Sequence, residues 1–150
     1  MNHLLMETHE DPSPDDLRFL ESKLDAFNRE HAEPSHYRPL AVFLRRGGEL
    51  VGGACGSTQW KWLFVSDVWV AQSLRGSGWG RRIMDAIEAA AARRGCRAAH
   101  LDTFSFQALG FYEKLGYRRF GTLPDYPPGE TRYFLWKELA ISQQQPVGLR

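Results

Sequence analysis

The sequence predicts an α/β (α+β) domain built on a mixed, mostly antiparallel central sheet flanked by helices. Three observations predict it. Segments rich in β-branched and aromatic residues alternate with amphipathic helical runs along the whole chain. Two pairs of such segments meet across short glycine-bearing turns, the mark of antiparallel hairpins. A glycine-rich connection, VAQSLRGSGWG, then carries a strongly apolar strand into a long amphipathic helix. The 150 residues suit one domain with a real core over residues 1–140, followed by a short polar tail over 141–150.

Taken in order, Leu4–Met6 is the expected first strand. Ser13 is the expected N-cap of a helix, with Pro14 at its first position and Asp15 and Asp16 on the positive end of its dipole. Leu17, Leu20, Leu24 and Phe27 follow at helical spacing, and the pattern ends before Glu33-Pro34. Leu40–Leu44 and Glu49–Ser57 flank Arg45-Arg46-Gly47-Gly48 as a hairpin, and Trp62–Val70 is a fourth, strongly apolar strand. Gly80–Arg94 reads as a helix with Ile83, Met84, Ile87, Ala90 and Ala91 on one face, Arg81, Asp85 and Glu88 on the other, and Gly95 as its stop. Arg97–Asp102 is a further strand. Phe106–Leu115 is a short helix capped by Ser105 and ended by Gly116. Tyr117–Leu123 and Thr131–Leu139 close the chain as a hairpin around PDYPPGE.

Composition removes several classes of function. The 19 Lys+Arg against 18 Asp+Glu give no field that would favour nucleic acid or an anionic membrane, although Arg93, Arg94 and Arg97 form a small basic cluster. Cys55 and Cys96 are too few and too far apart for a disulfide framework or a zinc site, and read as buried free thiols in a reducing, cytoplasmic setting. No apolar run approaches the ~20 residues needed to span a bilayer, and the N-terminus lacks the pattern of a signal peptide.

Gly76, Gly78 and Gly80 stand at alternate positions where strand gives way to helix. Without Cβ atoms the backbone can approach an anion closely, so the amides of Arg75 to Arg81 are candidates to hold phosphate at the positive end of a helix. A nucleotide triphosphatase would need Gly-Lys-Ser/Thr where Trp79-Gly80-Arg81 stands. The dinucleotide fingerprint needs G-x-G-x-x-G after a first strand, and here the spacing is G-x-G-x-G after a later one. A tight turn that uses glycine for positive φ is the structural alternative.

The same loop resembles the acyl-CoA pyrophosphate loop of the GNAT superfamily of N-acetyltransferases, Q/R-x-x-G-x-G/A, with Arg75, Gly78 and Gly80 at its fixed positions. A second element, FQALGFYEKLGY, resembles the family's A-x-x-F-Y-x-K-x-G-F/Y through Ala108, Phe111, Tyr112, Lys114, Gly116 and Tyr117. Ser105 departs from the pattern, because an asparagine often stands three positions before that alanine. The resemblance implies a GNAT-type sheet, acetyl-CoA as co-substrate and no metal. It implies that Val68, Trp69, Val70, Arg75, Gly76, Ser77, Gly78, Trp79, Gly80, Arg81, Ser105, Phe111 and Lys114 bind the carrier, with Arg82 adding charge. An amide of Val70 or Trp69 would polarise the thioester carbonyl, and Tyr112 would protonate the departing thiolate, its phenol having a higher reference pKa than a thiol.

The base stays open between Asp67, Asp102 on the strand face it shares with His100, and water. Trp60, Trp62, Trp69, Tyr126, Asp125 and Glu130 are candidate walls for a small cationic amine. The expected activity is acetyl transfer to a primary amine of a small molecule, in a chain compatible with a homodimer. The alternative is a non-catalytic acyl-CoA-binding sensor or partner module.

Overall fold

The computed structural model describes residues 3–140; the expected tail over 141–150 lies outside them. The chain divides after Ser35 into two units. The first holds α1, Pro14–His31, whose cap is as expected: the Ser13 side chain accepts from the Asp16 amide at 3.5 Å, and Pro14 opens the first turn. His31 closes the helix by pairing its Nδ1 with the Phe27 carbonyl at 2.8 Å. Leu4–Met6 form no strand. Three apolar residues carry strand propensity, but a strand exists only through a ladder, and none forms here.

The second unit holds the sheet: β1 (Arg38–Arg46), β2 (Glu49–Gln59), β3 (Trp62–Val70), β4 (Ala98–Phe104), β5 (Arg118–Pro124) and β6 (Thr131–Glu138), in the spatial order β1-β2-β3-β4-β6-β5. Only β3 and β4 are parallel, joined through α2 (Trp79–Arg93); the other neighbours are antiparallel. Gly47 and Gly48 turn the first hairpin at positive φ, as two-residue hairpin turns require. The next turn uses Trp60 and Lys61 at φ +47° and +60°, a conformation that side chains adopt at a cost.

One sheet face carries the core. Leu63, Val65, Leu101 and Leu135 meet Ile83, Met84, Ile87 and Ala91 of α2, and Tyr112 and Leu115 join the same cluster. Cys96 is buried in it, whereas Cys55 is only half-buried and sets its thiol 3.5 Å from the Asp67 carboxylate. Glu88 also departs from the expected pattern. Expected on the solvent face of α2, it is buried, because Lys137 from β6 reaches in to pair with it and also donates to the Leu115 carbonyl at 2.9 Å.

Burial nevertheless raises the Glu88 pKa against the pull of Lys137, and its second carboxylate oxygen has no hydrogen-bond partner. Lys137→Met should therefore cost about 3–5 kcal/mol in urea unfolding, since it strands a buried carboxylate. The double variant Glu88→Leu/Lys137→Met should recover most of that loss. A double variant as unstable as the single one would show that the charges are not the reason.

Candidate active site

The site begins where the sheet comes apart. β3 pairs with β4 only from Trp62–Val65 against Ala98–Leu101, yet β3 runs on to Val70 and β4 to Phe104. The cause lies on the other side of β3. There Val65 faces Gly56 and Asp67 faces Cys55, so Ser66 is an extra residue, a β-bulge tied by its hydroxyl to the Cys55 carbonyl at 3.1 Å. A bulge bends its strand and shifts the alternation by one. Leu63 and Val65 face the core before it, and Val68 and Val70 pack on the same core after it. The Ala71 amide bonds back to Val51 at 2.8 Å. By alternation, Val68 and Val70 turn their backbone groups toward the split.

The loop that follows faces the same split. Arg75 folds back so that its Nε donates to the Val70 carbonyl at 2.9 Å. Gly76 and Gly78 sit at φ +77° and +82°, and Gly78 caps α2 with no side chain to satisfy its amides. The first intrahelical bond runs from Arg82 to Gly78, which leaves the Trp79, Gly80 and Arg81 amides without acceptors in the helix. At Gly80 the constraint is contact: a Cβ would lie 3.1 Å from the Phe111 ring. Arg82 stacks on Trp79, its guanidinium 4.2 Å from the ring centre.

The short helix α3, Leu109–Lys114, forms the opposite wall. It starts later than expected, and Ser105 is not its cap. The Ser105 hydroxyl instead pairs with Glu130 and accepts from the Thr131 amide at 3.0 Å, so the strand-end turn consumes it. Tyr112 is buried, and desolvation pushes its pKa up to about 12. Tyr117 beside it is raised too, chiefly by burial, and its hydroxyl has no partner.

Val68, Trp69, Val70, Arg75, Gly76, Gly78, Trp79, Gly80, Arg81, Phe111, Tyr112 and Lys114 line one cavity of about 480 Å³. Leu74, Ala108 and Leu115 complete it. Ser77, Ser105 and Asp67 are not in its lining. Unpaired amides at one end, strand backbone that has lost its β4 partner along one side, with only the Val70 carbonyl taken up by Arg75, and apolar walls between suit a ligand with an anionic group joined to an extended, amide-bearing arm.

On the opposite sheet face, Asp67 is exposed on β3. Asp102 is committed elsewhere, because Arg132 contacts one of its oxygens through Nε at 2.9 Å and Nη2 at 2.8 Å. His100 stacks on Phe64 and meets the edge of Trp62, and burial lowers its pKa against the pull of Asp102. Trp60, Trp62, Phe64 and His100 share a separate cavity with Ser57 and Gln59. Among the described residues, no three His, Cys, Asp or Glu side chains gather as a metal site would require.

Residues 1–117 match the family model described as the acetyltransferase (GNAT) family. The chain is 45% identical over 107 residues to blasticidin-S acetyltransferase of Streptomyces morookaense, covering 68% of this chain and 79% of that one. In structure it is similar to an acetyltransferase from Bacillus cereus, at 29% identity and a TM-score of 0.82, covering 89% and 98% of the two chains. An aminoglycoside 6'-N-acetyltransferase complexed with coenzyme A shares the fold at 19% identity and a TM-score of 0.62, covering 91% and 98%.

The left-handed constraint can be tested against a glycine that carries none. Gly78→Ala should cost about 1–2 kcal/mol in urea unfolding through its left-handed backbone. Gly110→Ala, on α3 with open space around it, should be neutral or stabilising by up to about 1 kcal/mol. Equal effects would mean that the left-handed turn is not what demands glycine.

Proposed function

From a chain that belongs to the GNAT acetyltransferase family and so transfers acetyl groups to an amine, we propose an enzyme that acetylates a primary amine of a small molecule by direct attack in a ternary complex. One observation carries this reading. A buried tyrosine, a helix N-terminus with free amides and an unpaired strand edge all line one cavity. The similarity to blasticidin-S acetyltransferase supports a small molecule as the acceptor.

Bound acetyl-CoA supplies the acetyl thioester. The amides of Gly78 to Arg81 hold its pyrophosphate, with the α2 dipole and the Arg81 side chain adding positive potential. Arg75 contributes differently, since its Nε holds the loop against β3. Val68 and Val70 offer backbone groups to the pantetheine arm as a neighbouring strand would. The Val70 amide, aimed into the split, is the donor to the thioester carbonyl as negative charge grows on it.

Tyr112 holds its proton far above neutral pH, so it remains a donor to a thiolate whose own reference pKa is near 8.5. The Tyr112 proton passes to the sulfur as the C–S bond breaks, and because burial makes the phenolate costly, Tyr112 takes back, through water, the proton that the amine releases. Asp67 on β3 is the proposed base, reaching the amine directly or through water; its rival Asp102 is held by Arg132.

Tyr112→Phe should lower turnover by about 10- to 10⁴-fold while coenzyme A affinity stays nearly unchanged. In the parent enzyme, turnover should show no alkaline loss from this group until pH nears 12. The assay is thiol release over a panel of amines that includes spermidine, aminoglycosides, amino acids and lysine peptides. Turnover of peptides alone would reject the small-molecule acceptor. Coenzyme A binding with no amine raising turnover would leave the sensor reading standing.

A further inference from the structure

We propose that Phe104, Phe106 and Tyr126 form a stacking shelf beside the split, and that the acceptors this chain prefers carry a flat conjugated ring next to their amine. The inference rests on the acetyltransferase reading and extends it to the class of acceptor. Phe104 ends β4, the strand that borders the split, and faces Arg132 across the β4–β6 ladder. Its side chain therefore lies on the face of Asp102, away from the core face of Leu101 and Thr103.

The rings are held parallel. Phe106 lies 5.3 Å from Phe104 at 9°, and Tyr126 lies 5.9 Å from it at 2°. Yet Phe106 is 58% exposed and Tyr126 47% exposed, so aligned ring faces stand in water. Apolar rings left to themselves bury; these are kept out by the backbone that carries them. Ser105 and Thr131 exchange two bonds, Ser105 N to Thr131 O at 2.8 Å and Thr131 N to the Ser105 hydroxyl at 3.0 Å, and Glu130 joins the Ser105 hydroxyl. The Tyr126 amide is bound by the Glu130 carbonyl at 3.2 Å, and Gln107 accepts from the Phe104 amide at 3.0 Å.

A cation is the other guest that aromatic faces accept, but one is already seated. The Arg132 guanidinium lies 5.0 Å from Tyr126 and 5.5 Å from Phe104, fixed by Asp102. A neutral flat ring gains from the remaining faces, whereas an ammonium would meet a resident charge. The shelf thus selects for the ring and leaves the amine free to point toward the split.

The test compares 2-phenylethylamine with 2-cyclohexylethylamine, which match in size and in their amine and differ in flatness. Each is titrated by ligand-observed NMR into the full chain loaded with coenzyme A, a complex in which no transfer can occur. The phenyl compound should bind about 3- to 10-fold more tightly. In Phe106→Leu/Tyr126→Leu that preference should fall to about one, with coenzyme A binding unchanged as the check on folding. Equal affinities in the parent chain, no binding of either amine, or a preference that survives the double substitution would each overturn the proposal. Thiol release with acetyl-CoA tests the underlying reading separately. A ring preference without turnover removes the enzyme and keeps the shelf; turnover with no ring preference does the reverse.

Discussion

The interaction on which the rest depends is one that stops: β3 and β4 cease to pair after Val65 and Leu101. Unpaired backbone in a sheet interior is costly, because every amide and carbonyl loses a partner. Ser66 makes the departure orderly. The extra residue bends β3 away while the shift in alternation keeps Val68 and Val70 on the core, so the strand separates without surrendering its apolar face. The wall of α3 is tied to α2 and β6 by Lys137, which binds Glu88 and the Leu115 carbonyl together. The cavity is thus framed by a bulged strand on one side and a tethered helix on the other.

Much of this was legible in the sequence, and for physical reasons. The hairpin at Gly47-Gly48, the proline-led α1 and the amphipathic α2 are local signals: each is decided by residues a few positions apart. The glycine loop was legible because positive φ and contact with Phe111 leave few residue types that fit. The resemblance joined that loop to the α3 motif, and both line one cavity.

What stayed hidden was set across the chain. Nothing in the run Val65-Ser66-Asp67 announces a bulge, which exists only in the register with Cys55 and Gly56. Glu88 reads as a solvent residue until Lys137 arrives from β6, and Ser105 reads as a cap until Glu130 and Thr131 claim its hydroxyl. The standing of Asp102 is likewise decided by Arg132, thirty residues on. Tertiary partners overrule local preference wherever a polar side chain has two possible roles.

The outermost strands, β1 and β5, leave one row each of peptide groups with no neighbour in the sheet. Such a margin is where like molecules zip together into insoluble ribbons. Here Arg38, Arg45 and Arg46 stud one margin, while Arg118, Arg119 and a terminal Pro124 guard the other. Two copies meeting margin to margin would bring guanidinium against guanidinium, and the proline lacks a hydrogen to offer. A protein that must keep a hole in its sheet therefore discourages its own kind from growing onto the rim.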